Sequence, residues 1–264
     1  MRRATGEEVK KIQLELLDVV ADFCEKNGIN YWIDAGSLIG AIRHKGYIPW
    51  DDDIDIGMLR PDYERFVELF SNRDDRYYLF CPEKSKDVYC PHGKVCDTTT
   101  TLYEPDITGF KSCVNIDVFI YDNVPDEATA RKMYKIRERN RLFHGVKFAK
   151  NRPSGNGLRR MLVYALRYAL KLFPKDFFVQ RMVKNAQKHR NQETKYIGSF
   201  TTYSHMICEK DVFDGFTTAE FEGKHYQVPA GYDKFLTACY GDYMQLPPVE
   251  KRVSHHHYEA YIND

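Results

Sequence analysis

The sequence predicts a mixed α/β (α+β) fold, with a strand-containing core over residues 1–150 and a mostly helical region over 151–264. Short apolar runs bounded by turn residues interleave with helix-period segments up to Pro125, and from Asp126 onward helical periodicity dominates. The stretch Asn151-Arg152-Pro153-Ser154-Gly155-Asn156-Gly157 marks the boundary, because it has neither periodicity nor apolar content.

Taken in order, Thr5 and Glu8 form a capping box. Val9, Ile12, Leu16, Val19, Val20 and Phe23 then repeat at helical spacing until Asn27-Gly28 stops the run. Tyr31-Trp32-Ile33 reads as a short strand, Asp34 to Ser37 as a glycine turn, and Leu38 to His44 as a helix ended by Lys45-Gly46. A second strand carries Asp53, Asp55 and Gly57 on one face and Ile54, Ile56 and Met58 on the other. Pro61 suits the first turn of a helix running to Phe70. Strands are expected at Tyr77 to Cys81, Lys94 to Leu102 and Asn115 to Tyr121, about five in all. Helices are expected at Asp126 to His144 and Leu158 to Arg190, a hairpin at Phe216 to Val228 around Gly223-Lys224, and a short helix from Pro229 to Tyr240.

Lys plus Arg total 39 against 38 Asp plus Glu, so no global field draws the chain to nucleic acid and any anion site must be local. The N-terminal arginines precede no apolar run, and no stretch approaches the roughly 20 apolar residues of a spanning helix, so a cytoplasmic setting is expected. Seven scattered Cys argue for reduced thiols over a disulfide framework. Cys81, Cys90, His92, Cys96 and Cys113 include metal-ligating types but no CxxC pair, which favours packing over zinc.

The informative chemistry lies in the glycine turn and the aspartates after it. Gly36 lets backbone N–H groups approach a phosphate, the helix start adds a favourable dipole, and the Ser37 hydroxyl is a further donor. Asp53 and Asp55, two residues apart on a strand, project in parallel and can share a hard divalent cation such as Mg2+. The alternative is a solvated acidic turn, which is strained here because apolar residues hold part of the run on a half-buried strand where carboxylates repel unless a cation compensates. Asp51 and Asp52 read as loop groups. Asp117 sits on another apolar strand; paired beside the Asp53 strand, it could bind metal or accept a proton from an attacking hydroxyl. Arg43 and Lys94 are candidate phosphate contacts, against a solvated helix-end cation and an edge-strand lysine respectively.

Tyr31 to His44, followed by Trp50-Asp51-Asp52-Asp53-Ile54-Asp55-Ile56-Gly57, resembles the signature of the LicD family, whose relatives include fukutin-type transferases. Lys94-Val95-Cys96-Asp97, Asn115 to Phe119, and Tyr240 to Met244 with Pro247-Pro248 are similar to its later motifs, although a proline common in relatives after the third apolar strand residue is missing here. The resemblance implies a polymerase-β-like nucleotidyltransferase core and transfer of an alcohol phosphate from a CDP-activated donor to a glycan hydroxyl. Members like this one transfer phosphocholine from CDP-choline to teichoic acid or lipopolysaccharide sugars. It further implies donor phosphates at Gly36 and Ser37 and magnesium at Asp53 and Asp55. Ribitol or glycerol phosphate transfer, nucleotidyl transfer, and a catalytically silent binding module stand as alternatives.

Three further signals stay open. Leu158 to Lys175 forms a basic amphipathic helix that either lies on an anionic membrane, suiting a lipid-linked acceptor, or packs on the core. An aromatic cage for a quaternary ammonium could draw on Tyr196, Phe200, Tyr203, Tyr226, Tyr232, Tyr240 and Tyr243. One of His255, His256 and His257 either lines the site or lies on a surface helix.

Overall fold

The computed structural model describes residues 1–70, 76–103, 108–110, 112–150, 157–202, 204–253 and 258–263. The expected His255 to His257 cluster, Tyr203 and most of the 151–157 boundary lie outside the described residues. Strand β1 (Arg2–Arg3) leads into helix α1 (Gly6–Asn27). The Thr5 hydroxyl accepts from the Glu8 N–H at 3.2 Å and the Glu8 carboxylate accepts from the Thr5 N–H at 2.9 Å, which is the expected capping box. Gly28 ends the helix at φ +60°, in the left-handed region that a side chain disfavours.

Strand β2 (Trp32–Ile33), helix α2 (Ala35–His44), strand β3 (Asp55–Leu59) and helix α3 (Arg60–Phe70) follow. The β3 strand begins at Asp55, so Asp53 lies in the approach to it, although the Asp117 N–H already donates to the Ile54 carbonyl at 3.0 Å. Strand β4 (Tyr77–Phe80) precedes β5 (Gly93–Asp97) and β6 (Thr100–Tyr103). The single strand expected over Lys94 to Leu102 is thus two. Asp97 accepts from both the N–H and the hydroxyl of Thr99, which folds the chain into a turn between them.

Strand β7 (Asn115–Val124) is ten residues long and organises the main sheet. One edge pairs in parallel with β3. The other pairs first with β5 and then with β8 (Tyr196–Ser199), which carries β9 (Met206–Glu209) beyond it. Outside β3 lies antiparallel β2, and outside β5 lies β4. Along β7, Ile116, Val118 and Ile120 are buried while Asn115, Asp117 and Phe119 stay half-exposed, a period of two that leaves one face for chemistry.

Helix α4 (Glu127–Phe148) follows β7, capped by Asp126 accepting from the Thr129 N–H at 2.7 Å. The long helix expected over Leu158 to Arg190 is instead α5 (Gly157–Leu170) and α6 (Phe177–Ala186). Pro174 lies between them, where it lacks the N–H that helix continuation requires. The hairpin is β10 (Phe216–Phe221) and β11 (Lys224–Pro229), turned by Glu222 and Gly223 at φ +50° and +76°. Helix α7 (Tyr232–Tyr240) comes next, and β12 (Glu259–Ile262) pairs with β1 and β6 in a separate small sheet. The main hydrophobic core draws on both ends of the chain, joining Trp32, Ile56, Phe66, Val118, Phe213 and Phe235.

Helix α3 is fastened to the sheet by charge. Arg60 donates to both carboxylate oxygens of fully buried Asp122 at 2.8 and 2.7 Å. Removing one member of such a pair strands the other without solvent, so Asp122→Ala is expected to lower stability by about 3–5 kcal/mol. Urea unfolding at unchanged slope measures this, and a loss under about 1 kcal/mol would contradict the anchoring role.

Candidate active site

Sheet register alone places three charged side chains in one row. Asp55 on β3 stands opposite Asp117 on β7 in the parallel ladder, and Asp117 stands opposite Lys94 on β5 in the antiparallel one. Directly opposed residues share a face, so Asp55, Asp117 and Lys94 project side by side. Asp53, two residues before Asp55, acts on it electrostatically, as do Asp51 and Asp34.

The turn into α2 is stitched to the same strand. The Asp34 N–H donates to the Asp55 carbonyl at 2.9 Å, and the Asp55 N–H donates to the Ser37 hydroxyl at 3.0 Å. Ser37 is buried, and its oxygen accepts from Asp55, which leaves the hydroxyl hydrogen for the donor role expected toward a phosphate. Ala35 takes φ +47°, a left-handed conformation that the flanking hydrogen bonds impose on a residue with a side chain. At Gly36 an added Cβ would stand 2.7 Å from a carboxylate oxygen of Asp51, so only glycine lets this acid reach the helix start. The Asp34 carboxylate, fully buried, accepts from the Ala35 N–H at 2.8 Å and the Tyr121 hydroxyl at 2.7 Å. Burial nevertheless pushes its pKa up to about 6.

The two aspartates of the row are treated oppositely. Burial raises Asp55 well above the usual carboxylate range, and the charges of Asp53, Asp117, Asp34 and Asp51 raise it further. One Asp55 oxygen, Oδ1, is buried without a hydrogen-bond partner. Burial acts the same way on Asp117, but Lys94 and His92 outweigh it and hold that carboxyl below the ordinary range. Lys94 Nζ lies 2.5 Å from Asp117 Oδ1 and His92 Nε2 lies 3.1 Å from Oδ2. His92, set aside in the sequence as core, is buried and braced through Nδ1 against the Thr201 carbonyl at 3.1 Å. Its burial opposes protonation, yet Cys90 and Asp117 beside it push its pKa up to about 10.

An unpartnered buried carboxylate oxygen among acids is one ligand that a hard divalent cation could take, and Asp55 supplies it, with Asp53 near enough to act on it by charge. Among the described residues no group of three or more His, Cys, Asp or Glu is arranged to hold a metal, and Asp117 has both oxygens turned to Lys94 and His92. Arg43 points elsewhere: it donates to the Tyr243 carbonyl at 2.5 Å and to His44 Nε2 at 2.9 Å, tying α2 to the segment after α7.

The tail closes the cluster. Tyr240 lies close enough to Asp34, Asp55 and Asp51 for their charges to help burial in raising its pKa, and Tyr258 donates to Asp52. The other described aromatic-cage candidates are scattered: Tyr226 donates to Asp18, Tyr243 donates to Asp233, and Phe200 and Tyr196 pack against Val124 and Ala186. Nothing in local sequence sets His92 beside Asp117, Tyr240 beside Asp55 or Tyr258 beside Asp52, because each arrives through a distant pairing.

Two substitutions separate the roles around Asp55 in metal-free buffer. Asp55→Asn removes repulsion and is expected to raise stability by about 0.5–2 kcal/mol. Ser37→Ala leaves a buried N–H without an acceptor and is expected to lower it by about 1–3 kcal/mol. Urea unfolding checks both, and a destabilised Asp55→Asn would contradict the uncompensated charge.

Comparison with known proteins carries the same motifs further. Residues 28–141 match the family described as LicD/FKTN/FKRP, nucleotidyltransferase domain, a span that includes Gly36, Asp53, Asp55, Lys94 and Asp117. The lipopolysaccharide cholinephosphotransferase LicD of Haemophilus influenzae is 34% identical over 278 aligned residues, covering 99% of this chain and 100% of its own. Human ribitol 5-phosphate transferase FKRP is 46% identical over 50 residues, 19% of this chain and 10% of its own, and human ribitol-5-phosphate transferase FKTN is 32% identical over 60 residues, 23% and 13%. With similarity running the full length of a bacterial relative, and the mixed α+β sheet of a nucleotidyltransferase beneath it, the chain belongs to the LicD family.

Proposed function

We propose that this LicD-family phosphotransferase moves phosphocholine from CDP-choline to a hydroxyl of a cell-surface glycan precursor, of the lipopolysaccharide or teichoic acid type, and releases CMP. The single observation that carries the reading is the register row of Asp55, Asp117 and Lys94 beside an unpartnered buried oxygen of Asp55, in a chain similar throughout to a cholinephosphotransferase. A cytoplasmic setting would suit a CDP-activated donor. The match to two ribitol phosphate transferases supports a second reading, in which the alcohol is ribitol or a related polyol.

Phosphoryl transfer through a loose transition state needs in-line positioning and neutralised charge more than covalent help. A magnesium ion held by Asp53 and Asp55 would offset the negative charge of the donor diphosphate, leaving Asp117, whose oxygens face Lys94 and His92, for the acceptor. Gly36 and Ser37 present the start of α2 to the donor, whose phosphates would meet Asp51 there and displace it. The acceptor oxygen forms a bond to the choline-bearing phosphorus while the bond from that phosphorus to the CMP oxygen breaks, and CMP leaves with the electron pair. Asp117 takes the acceptor's proton. Lys94 and His92 keep it ionised and therefore a weak base, which suffices because a loose transition state releases that proton late.

The test is release of CMP from purified CDP-choline and CDP-ribitol, with magnesium and a lipopolysaccharide or teichoic acid acceptor. Turnover of CDP-choline is expected, with Asp117→Asn reduced by roughly 10²–10⁴ and both Asp53→Asn and Asp55→Asn inactive. Turnover of CDP-ribitol alone would move the assignment to the second reading, and full activity of Asp53→Asn would remove the metal assignment.

A further inference from the structure

Helix α5 inverts the usual arrangement of an amphipathic helix on a folded protein. Leu158, Met161, Leu162, Leu166, Tyr168 and Leu172, the last in the turn beyond the helix, are exposed, Leu172 at 87% and Tyr168 at 69%. They recur at the three- and four-residue spacing of one stripe. Facing the protein are Val163, Arg167 and Leu170, with Arg167 Nε donating to the Val146 carbonyl of α4 at 3.1 Å. Four leucines therefore point out while an arginine points in. A continuous exposed apolar stripe of this kind marks an interaction surface.

Charge identifies what covers it. Arg159 and Arg160 in the first turn and Lys171 just past the last are exposed at the two ends of the helix, and residues 157–175 contain no Asp or Glu. Two copies meeting through α5 would bring these cations together, whereas an anionic bilayer meets the cations with phosphate and the leucines with acyl chain. Among the described residues no helix is long and apolar enough to cross a membrane, so the contact is with one face.

We propose that α5 is an interfacial helix that docks the enzyme on an anionic lipid surface. This docking goes beyond the proposed reaction and does not depend on it. The helix also lies on a meaningful side of the molecule. Just past it, Lys175 Nζ pairs with Asp87 at 2.5 Å, and Asp87 lines a cavity of about 70 Å³ whose wall also includes His92 and Lys94, the two partners of Asp117. A docked α5 would hold that cavity beside the membrane, where a lipid-linked substrate is presented.

Co-sedimentation of the full chain with vesicles tests this, using phosphatidylcholine alone and phosphatidylcholine mixed with phosphatidylglycerol. Binding to the anionic vesicles is expected, and Arg159→Glu with Arg160→Glu should weaken it by more than tenfold, from about fivefold for each cation lost. Leu162→Glu with Leu172→Glu should abolish it. Both pairs lie on exposed positions, and an unchanged melting curve confirms folding. No binding of the wild type to anionic vesicles, binding that survives both double substitutions, or a solution dimer that Leu162→Glu dissociates would each overturn the proposal.

Discussion

Everything at the site depends on the parallel pairing of β3 with β7. Because residues opposed in a ladder share a face, this one register sets Asp55 beside Asp117, and the antiparallel pairing of β5 on the far edge sets Lys94 next in line. A slip of one residue would turn Asp55 into the core and Ile54 or Ile56 into the site. The buried faces of Ile54, Ile56, Val118 and Ile120 forbid that slip, so the apolar core specifies the geometry of the acids.

The row is electrostatically lopsided. On the β5 side, Lys94 and His92 satisfy Asp117 with two close contacts. On the β3 side, Asp51, Asp53 and Asp34 crowd Asp55 with like charge. The α2 turn maintains this imbalance: its two hydrogen bonds to Asp55 go to the backbone and leave the carboxylate to its acidic neighbours. Charge of this kind destabilises a folded chain unless a cation answers it. Stability sacrificed at one residue is a common mark of a site arranged for something it binds.

Where the determinants are local, the sequence is legible. The Thr5 to Glu8 capping box, the Gly28 stop and the burial of Ile54, Ile56 and Met58 appear as their residues suggest, while the hairpin turns one residue before the expected Gly223-Lys224, at Glu222-Gly223. Asp55 and Asp117 could be named for the same reason, since an acid on an apolar strand stands out against its neighbours. Pairing between distant segments is another matter. β12 closes a sheet with β1 and β6 across most of the chain, β8 extends the main sheet from beyond α6, and Arg43 turns to the Tyr243 carbonyl 200 residues away. His92 reaches Asp117 only because β5 lies beside β7, and no periodicity in the sequence records which strands are neighbours.

The most direct test of the central claim is a crystal of the protein soaked with CDP-choline and manganese, examined by anomalous scattering. An uncompensated Asp55 predicts a manganese peak at Asp53 and Asp55, with the donor diphosphate against Gly36 and Ser37. A donor bound away from Ser37, or a metal peak that leaves Asp55 untouched, would contradict it.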